Sequence, residues 1–509
     1  MLSANKKVND SRYRHSATWM IDRCIIPNMD ITLAKALRSE SSSPCIAFIG
    51  AGGKTTAMFQ LARQLPAPVI VTATSHLGTW QVPLADKHII ADAPGPLEEI
   101  ERGIQGAMLV TGPIDGDRTT PINDALLDWL HQFCRYHSIP LLIEADGARQ
   151  KPLKAWAEHE PPIPSFVEQV IQIVGLTGVG TFLDDEHVQR PELFSSLSQL
   201  TIGEPITPDA LIRVLTHPEG GLKNIPVGAR KVALLNQADT PALQGIAHGM
   251  ARSLLLPYHS VIIGSLEQEA IFAVHESIAG IILAAGESTR FGEPKQLLDW
   301  RGQPFVRAVA KNALDAGLWP VIVITGAYAE GVSAAVKDLD VKIVFNDDWK
   351  SGQASSIKAG IRLLSQPPPP LSGHLPQIQN QKQYRQSKVP SAGFGGRPAE
   401  GVGGEGVGGA IFLLADQPHV TASVMKALVE KHAQGLYPIV APMVLDRRAN
   451  PVLFDHSTFS DLLTLEGDVG GRAIFHNYRV EYLPWHDDGL LLDVDTPEQY
   501  QRLISNDAI

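Results

Sequence analysis

The stretch Gly280–Lys295 combines residue types that could hold a polyphosphate. It reads Gly-Ile-Ile-Leu-Ala-Ala-Gly-Glu-Ser-Thr-Arg-Phe-Gly-Glu-Pro-Lys, a short apolar run that opens into a glycine-containing loop. Gly286 and Gly292 have no Cβ, so the backbone can approach a ligand closely there. Loop amides could then face the anion, with Arg290 and Lys295 supplying fixed positive charge. The pattern therefore predicts phosphate chemistry; the alternative is a surface loop with two solvated cations.

A second chemical site follows the apolar run Ala410–Leu414. The sequence continues Ala-Asp-Gln-Pro, so Asp416 emerges where this predicted strand ends. Sheets of α/β proteins place their ligands at the carboxyl ends of strands. A carboxylate at that position can hold a Mg²⁺ ion that bridges a triphosphate. The alternative is a structural aspartate beside the stiff turn at Pro418.

The N-terminal half has its own phosphate pattern. The apolar run Cys45–Gly50 leads into Gly-Ala-Gly-Gly-Lys-Thr-Thr and then into a helical pattern. Loop amides, a helix N-terminus and a hydroxyl on Mg²⁺ are the parts of a P-loop, although Phe48 stands where its first glycine is usual. Glu144 and Asp146 end another predicted strand and are expected to hold the Mg²⁺. The predicted phosphate-binding residues are Gly50, Gly52, Gly53, Lys54, Thr55 and Thr56.

The loop Gly280–Lys295 resembles that of molybdenum cofactor cytidylyltransferases of the MocA type. The resemblance implies that Lys295, Arg290 and Asp416 are catalytic. Cytidine enzymes of that family carry Leu-Ala-Ala-Gly in this loop, where guanylyl enzymes carry Leu-Ala-Gly-Gly, so Ala285 indicates CTP. The nucleotide-binding residues that the resemblance implies, in this loop and in Asn346–Ile357, are Leu283, Ala284, Ala285, Gly286, Ser288, Gly352, Gln353 and Ser356.

The same resemblance assigns an acceptor side. Asp446–Val452 and Gly467–Arg472 are similar to loops that bind the pterin substrate, although Asp446 and Ala449 stand where glycines are more usual. The implied acceptor-binding residues are Asn450, Asp468 and Arg472. Leu492–Pro497 resembles the motif D-I-D-T-P, in which one aspartate, Asp493 or Asp495, completes the metal shell. Asp495 or Thr496 is alternatively the N-cap of the helix that begins near Pro497.

Residues 30 to 268 resemble the YqeC-type family, and the resemblance implies an accessory protein for selenium-dependent hydroxylases. The resemblance is carried by Gly50–Thr56, Glu144–Ala148, Gly175–Arg190 and Asn236–Asp239. It implies an accessory NTPase with ATP or GTP as candidate nucleotides. In GTPase-like proteins an Asn-Lys-x-Asp motif reads the base, and Gln237 replaces that lysine, which leaves the base open.

These sites need strands that deliver loops, so the predicted fold class is α/β in both halves. We expect a disordered extension at 1–29, a P-loop-like NTPase domain at 30–270, and a Rossmann-like nucleotidyltransferase domain with a mostly parallel sheet at 277–509. Predicted elements include a short helix at 31–37 and a strand at 321–325, and residues 275–279 join the halves. The Pro-, Gln- and Gly-rich stretch 366–409 cannot bury a core, which predicts a disordered insertion.

Bulk composition narrows the class of protein. At 509 residues the chain is long enough for two domains, and its net charge of −11 argues against nucleic-acid binding. Cys24, Cys45 and Cys134 show neither disulfide nor zinc spacing. The absence of a long apolar run and of a secretory pattern predicts no membrane association and a cytoplasmic location.

The combined expectation is transfer of CMP from CTP to the phosphate of the molybdenum cofactor, with Mg²⁺ as the metal. The N-terminal half would assist maturation of an apo molybdenum hydroxylase of the xanthine dehydrogenase family, the expected client. Two alternatives stay open. One is a guanylyltransferase or a sugar- or polyol-phosphate nucleotidyltransferase, and the other is a non-catalytic chaperone that carries the cofactor.

Overall fold

The computed structural model describes residues 31–39, 43–91, 105–288, 291–365, 406–492 and 494–506. The predicted extension at 1–29 and most of the predicted insertion at 366–409 lie outside these residues. Arg290 and Asp493 also lie outside them, so their roles stay predictions. No helix within the described ranges combines the length and the apolar character that crossing a membrane requires.

The strands alternate with helices along most of the chain, as an α/β fold requires. In chain order the strands are β1 Cys45–Gly50, β2 Val69–Ala73, β3 Lys87–Ile90, β4 Ala107–Thr111, β5 Ile114–Asp115, β6 Arg118–Thr119, β7 Leu141–Glu144, β8 Leu153–Lys154, β9 Gln169–Gly175, β10 Val188–Gln189, β11 Arg230–Asn236, β12 Ser260–Ser265, β13 Ala270–Ala284, β14 Asp299–Trp300, β15 Gln303–Pro304, β16 Val321–Thr325, β17 Lys342–Phe345, β18 Val407–Leu414, β19 Ile439–Val444, β20 Arg447–Arg448, β21 Val452–Asp455 and β22 Val480–Pro484.

The helices pack on both faces of the sheet. In chain order the α-helices of the described residues are α1 Leu33–Ala36, α2 Lys54–Gln64, α3 Asp124–His137, α4 Pro191–Ser198, α5 Pro208–Thr216, α6 Pro241–Leu254, α7 Phe305–Asp315, α8 Ala329–Val336, α9 Gln353–Leu364, α10 Ala422–Gly435, α11 Phe459–Leu462 and α12 Pro497–Asn506. Short 3₁₀ helices are Thr79–Leu84, Leu176–Gly178, Lys295–Leu297, Trp349–Ser351, His456–Thr458, Gly471–Asn477 and Asp488–Leu491.

Side chains of β1 show why the sheet needs helices on both faces. Ile46 and Phe48 pack into one buried cluster with α2, while Ala47 and Ile49 pack into a second cluster with α3. Successive residues of a strand point to opposite faces, so an unbroken apolar strand is stable only when both faces are covered. The continuous apolar runs in the sequence therefore correspond to strands buried on both sides.

Strand β13 belongs to both halves. Its first part, 270–276, pairs antiparallel with β12, and its second part, 277–284, pairs parallel with β16 and β18. The N-terminal strands lie in the order β3-β4-β2-β7-β1-β9-β11-β12, parallel throughout, and β13 joins them to the C-terminal strands in a single sheet. The stretch 275–279, predicted to join the halves, is thus the interior of a strand.

The strand β18 corrects one predicted boundary. Residues 407–409, the end of the predicted insertion, pair with Ser277 and Ile278 of β13. A glycine is required at position 409, because a Cβ there would meet the carbonyl oxygen of Phe454 at 2.5 Å. The Gly-Val-Gly-Gly sequence that reads as low complexity therefore includes a close contact between strands.

The strand directions put the two predicted phosphate loops at opposite edges of the sheet. Register pairs align Gly50 of β1, through β9, β11 and β12, with Val274 of β13. Because β13 runs antiparallel to β12, its carboxyl end at Ala284 points away from that of β1. Ten residues of strand are about 33 Å and four strand spacings about 19 Å, so the loops lie roughly 38 Å apart.

A buried cluster of charges lies at the seam between the halves. Arg38, just after α1, donates to Glu276 of β13 at 2.6 Å and to Asp455 of β21 at 2.7 Å. Arg230 donates to the other oxygen of Glu276 at 2.7 Å. Burial acts to raise the pKa of Glu276, but Arg38 and Arg230 outweigh it and lower that pKa to about 2. His432 of α10 completes the cluster through Asp455 at 2.7 Å.

We expect Glu276→Gln to lower the free energy of unfolding by about 3 kcal/mol, because it leaves two partly buried guanidinium groups undercompensated beside a buried neutral amide. The contribution of the ionised carboxylate is complete above its ordinary pKa of 4.5 and is lost as the pH falls towards 2. Denaturant titration at pH 7 and at pH 4 measures both effects. Asp338→Asn, which removes an exposed partner of Arg307, is the control and should change stability much less. Equal losses in the two variants would contradict the importance of the seam.

Candidate active site

A cavity of about 810 Å³ opens where β13 and β18 end. This edge receives the loop that follows Ala284, the residues after Leu414, and the start of α9. The cavity is lined by most of the residues predicted for the C-terminal half to act in catalysis or to bind nucleotide, acceptor or metal, namely Leu283, Ala284, Ala285, Gly286, Ser288, Lys295, Gly352, Gln353, Ser356, Asp416, Asp468 and Asp495. The fold therefore brings together residues that are far apart in the sequence.

Lys295 lies between two carboxylates at this cavity. Its Nζ is 3.0 Å from Oδ2 of Asp416 and 2.9 Å from Oδ1 of Asp495. The ammonium group is largely enclosed, with 16% of the side chain exposed, and burial acts to lower its pKa. Asp416 and Asp495 outweigh burial, so the net shift of the Lys295 pKa is upward. The lysine is thus held in its charged form where phosphate oxygens could reach it.

The loop before Lys295 is tied to itself by Gln296. The Gln296 amide donates to the Gly286 carbonyl at 3.0 Å, and its oxygen accepts from the Ser288 hydroxyl at 3.2 Å. The Ser288 hydroxyl also accepts the Lys295 N–H at 3.1 Å. Gln296 is buried, although the sequence analysis did not identify it. A glutamine directly after Lys295 gives no signal in the sequence, because its partners depend on the conformation of the loop.

The start of α9 is shaped by contact with the predicted acceptor loop. Gly352 has φ +111°, and a Cβ there would overlap the backbone of Gly467. The N–H of Ala354 donates to the Gly467 carbonyl at 3.1 Å. The Asp468 carboxylate accepts the N–H of Gln353 at 3.3 Å. Nucleotide-binding and acceptor-binding predictions therefore fall on two segments in direct contact.

The predicted serine of α9 is held by a residue of the preceding loop. Asn346 donates from Nδ2 to Ser355 at 2.8 Å and to Ser356 at 3.1 Å. All three residues are buried. Asn346 follows β17, so this contact fixes the first turn of α9 against the end of that strand. Ser356 lines the cavity as predicted, but its hydroxyl already has a protein partner.

Two of the predicted acceptor residues lie together but outside the cavity lining. Arg472 donates to Oδ1 of Asn450 at 3.2 Å. Asp468, the third of them, does line the cavity. Thr496 is the N-cap of α12, which is the alternative prediction for this segment. Its hydroxyl accepts the Gln499 N–H, and the Gln499 side chain accepts the N–H groups of Asp495 and Thr496. This is a capping box with Thr496 as the N-cap, so Asp495 lies just before the helix and contacts Lys295.

A second cavity, of about 690 Å³, lies at the carboxyl ends of β1, β2 and β7. The predicted phosphate residues Gly52, Gly53, Lys54, Thr55 and Thr56 line it. Gly50 does not, because its N–H donates into the interior, to Asp146 at 3.1 Å. Helix α2 begins at Lys54, so the free N–H groups of its first turn are available at this cavity.

Two carboxylates surround the amine of Lys54. Its Nζ donates to the Gly50 carbonyl at 2.7 Å and lies 3.3 Å from Asp146 and 3.9 Å from Glu144. Burial raises the pKa of Glu144, and Lys54 and the hydroxyl of Thr55 only partly oppose it. At Asp146 burial is outweighed by Lys54 and Lys154, so the pKa of this carboxyl is lowered.

The contacts divide the roles of these carboxylates. Glu144 lines the cavity and accepts the Thr55 hydroxyl at 2.7 Å, as expected of a pair that can share a Mg²⁺ ion. Asp146 is fully enclosed, and its Oδ2 accepts from Lys154 and from the Trp156 indole at 2.8 Å each. Both were predicted to hold metal. The geometry instead makes Asp146 an internal anchor for Lys54, and it favours Glu144 for the metal.

Asn236 has a structural role rather than the base-reading role of a GTPase motif. Its amide donates to the Gly52 carbonyl at 2.7 Å, and its oxygen accepts the Leu266 N–H at 2.9 Å. A Cβ on Gly53 would overlap this amide, which explains why that position holds glycine at φ +127°. The motif therefore braces the phosphate loop, while Gln237 beside it lines the cavity.

Comparison with known proteins divides the chain in the same way. A family model described as YqeC protein matches residues 46–192, and one described as MobA-like NTP transferase domain matches residues 280–482. Uncharacterized protein YqeC of Escherichia coli K12 is 31% identical over 208 residues, which are 40% of this chain and 78% of that protein.

Proteins that are similar to the C-terminal half are described by different activities. Nicotine blue oxidoreductase of Paenarthrobacter nicotinovorans is 27% identical over 236 residues, covering 45% of this chain and 96% of that protein. A probable molybdenum cofactor guanylyltransferase of Bacillus cytotoxicus is 42% identical over a short match of 52 residues, 10% of this chain and 26% of that protein.

We expect Gly352→Ala to loosen the contact between α9 and the loop 467–470. The new Cβ would combine a strained positive φ with a backbone overlap, and hydrogen exchange at the Ala354 N–H should become faster. Gly302→Ala is the matched control, because Gly302 also has positive φ, at +80°, but nothing lies within 4 Å of the added Cβ. Exchange mass spectrometry of peptides covering 353–364 and 463–478 measures the effect. Equal protection in both variants would show that the overlap is relieved without cost.

Proposed function

We propose that this chain, which belongs to the YqeC family through its N-terminal half and carries a MobA-like NTP transferase domain in its C-terminal half, is a CTP:molybdenum cofactor cytidylyltransferase with an attached nucleotide-binding domain. The C-terminal half would transfer CMP from CTP to the phosphate of the molybdenum-bound pterin, releasing pyrophosphate. The observation that carries this proposal is Lys295 held between Asp416 and Asp495 in the cavity where β13 and β18 end.

The residues present fit a nucleotidyl transfer without a covalent intermediate. An acceptor phosphate is already ionised at neutral pH, so it needs no general base. Lys295, held in its charged form, would neutralise the triphosphate as negative charge moves to the leaving pyrophosphate. Gly352 and Gln353 at the start of α9 line the same cavity, so the polar side chain of Gln353 is within reach of a bound nucleotide. Positioning and charge neutralisation then supply most of the catalysis.

Asp416 and Asp495 also suit a Mg²⁺ ion. Their oxygens converge on one cation, the Lys295 ammonium, and carboxylates are the ligands that Mg²⁺ prefers. A bound Mg²⁺ would supply further charge neutralisation at the phosphates. Asp495 would share its carboxylate between this site and Lys295, while Gln499 holds its backbone in place. The seam cluster around Glu276 takes no part in this chemistry.

The base and the acceptor are the finer parts of the proposal. Ala285 is nearly buried at the cavity wall, and the carbonyl of Ala285 accepts the Ala327 N–H at 3.2 Å. The Leu-Ala-Ala-Gly sequence supports CTP, whereas the short match to a guanylyltransferase favours GTP as the second candidate. The contact of Asp468 with the start of α9 supports an acceptor phosphate that approaches from the loop 467–470.

We expect Lys295→Ala and Asp416→Asn each to reduce the rate of pyrophosphate release by about a hundredfold or more, since each removes charge at the reacting phosphates. The assay contains purified protein, Mg²⁺, molybdenum cofactor and CTP, GTP, ATP or UTP, and mass spectrometry identifies the product. Lys337→Ala, an exposed lysine on α8's C-terminal side, is the control. Release with GTP alone would retain the reaction class and overturn CTP. No release with any nucleotide would favour the cofactor-carrying chaperone.

The N-terminal half would bind Mg²⁺ and ATP or GTP at the loop Gly50–Thr56 and assist the maturation of a molybdenum hydroxylase. Support comes from the Lys54 amine at the cavity, the Thr55–Glu144 contact and the free amides of α2. The assignment of a client enzyme rests only on the fusion with the transferase half.

We expect Thr55→Ala and Lys54→Ala to weaken Mg²⁺-dependent binding of non-hydrolysable ATP and GTP analogues by at least about tenfold, because they remove the metal-facing hydroxyl and the phosphate-facing charge. Thr55→Ala keeps the buried Lys54–Asp146 pair, so it separates binding from folding. Lys87→Ala, on β3 outside the cavity, is the control. Unchanged binding in both loop variants would remove the nucleotide from this half while leaving the transferase proposal intact.

A further inference from the structure

The N-terminal cavity continues beyond the phosphate loop. Strand β1 lies between β7, which carries Glu144, and β9, beyond which β11 leads to Gln237. Since Thr55 and Glu144 mark where Mg²⁺ and the terminal phosphates lie, a nucleoside extends towards the Gln237 side. The opposite side, beyond the terminal phosphate, is the space at the end of β2. Residues that nothing above assigns line this space, including His76, Gly78, Trp80 and Arg118.

Trp80 offers a flat apolar surface in this space. It is the one exposed tryptophan among the residues that the structure describes, with a relative exposure of 54%. Its ring lies against the Cα of Gly78, where any Cβ would overlap it. The glycine therefore lets the ring fold back over the backbone beside the cavity. An exposed indole held in this way can stack on a planar ring, and such a surface tolerates many heteroaromatic compounds.

Positive charge without a partner lies near this ring. Arg118 forms a backbone bridge with Gly78, which puts it beside the Trp80 segment. Arg118 and Arg149 both line the cavity, and the side chain of neither forms an ion pair or hydrogen bond with another described residue, whereas Lys154 and Arg190 both bind Glu160. Guanidinium groups that line a cavity and have no carboxylate partner are suited to binding a phosphate.

The carbonyl oxygen of Gln189 supplies an independent sign of a ligand. Gln189 is 7% exposed and lines the cavity, and its Oε1 is buried without a hydrogen-bond partner. Buried polar atoms are normally paired, so this acceptor is one that a small shift of the cavity wall would make available to a donor on a bound ligand. Ring N–H or amino groups of a heterocycle are donors of this kind.

Gln81 connects this space to the nucleotide loop. Its amide donates to the Thr55 hydroxyl at 2.6 Å, and its oxygen accepts the Gly78 N–H at 2.9 Å. The Thr55 oxygen that accepts from Gln81 is the atom that Mg²⁺ would take. Binding of Mg²⁺ and nucleotide would therefore release Gln81 and with it the 3₁₀ segment that carries Trp80. Affinity for a ligand on Trp80 should then depend on the nucleotide.

We propose that the N-terminal cavity holds a second ligand beside the nucleotide, a planar heteroaromatic compound that carries a phosphate. Its ring would stack on Trp80, its phosphate would bind Arg118 and Arg149, and a ring donor would reach Gln189. This inference rests on the nucleotide site of the proposed function. It places no constraint on the transferase half, whose loop lies at the other edge of the sheet.

The test uses neopterin phosphate as probe and follows quenching of its pterin fluorescence on the full chain, with Arg472→Ala in every protein to weaken the acceptor loop of the other half. Titrations are made with and without Mg²⁺ and a non-hydrolysable nucleotide. We expect Trp80→Ala and Arg118→Ala each to weaken probe binding by about tenfold. Gln81→Leu should make the affinity independent of the nucleotide. Neopterin without phosphate and ribose 5-phosphate without a ring should bind far more weakly.

The matched controls lie on the exposed face of α3, where Tyr136→Ala and Arg135→Ala remove an aromatic ring and a guanidinium group outside the cavity. Probe binding that is equal in the cavity variants and the controls would overturn the second-ligand site. The same conclusion would follow if Trp80→Ala weakened the nucleotide analogue as much as the probe, since Trp80 would then contact the base. Failure of the nucleotide analogue to bind, with probe binding still sensitive to Trp80 and Arg118, would refute the nucleotide site and retain this one.

Discussion

The continuity of β13 is the constraint on which the arrangement of the protein depends. One strand pairs antiparallel with β12 and then parallel with β16 and β18, so both halves share a single sheet. Strand direction fixes where a ligand loop can lie, because loops that bind ligands follow the carboxyl ends of strands. Because β13 runs antiparallel to the strands of the N-terminal half, the loops after β1 and after β13 lie at opposite edges of the sheet. No local feature of either loop could reverse this.

Each loop has a lysine ammonium group close to two carboxylates, but the two groups are packed differently. In the N-terminal half Lys54 is enclosed, 5% exposed, and Asp146 behind it is held by Lys154 and Trp156. In the C-terminal half Lys295 lies between Asp416 and Asp495, which are 30% and 59% exposed. A buried pair cannot rearrange without a large desolvation penalty, whereas carboxylates near solvent can exchange a lysine for a metal ion at less cost. The first arrangement suits a fixed cradle and the second a site whose charges regroup during a reaction.

Local patterns in the sequence predicted elements better than they predicted contacts. The strand at 321–325 appears with the predicted bounds, and the short helix expected at 31–37 appears as Leu33–Ala36, because apolar runs and caps are local signals. The joint predicted at 275–279 is strand interior, since His275 and Glu276 look like a polar break until His248, Arg38 and Arg230 reach them from distant positions. The internal contacts of Asp146 could not be predicted for the same reason, and its role as a metal ligand stays a prediction. Its partners Lys154 and Trp156 are close in sequence, but only the turn of the chain aims them inward.

The roughly 38 Å between the loops bears on why the halves are fused. A ligand released at one edge must cross this distance before it reaches the other, because the two cavities have separate linings. Arg38 contacts both halves, because it precedes β1 while its partners Glu276 and Asp455 lie on β13 and β21. A charge cluster of this kind holds the halves in one relative position and opposes sliding between them. The fusion then fixes the stoichiometry and the relative position of the two cavities, and a compound that bound to both would have to diffuse between them.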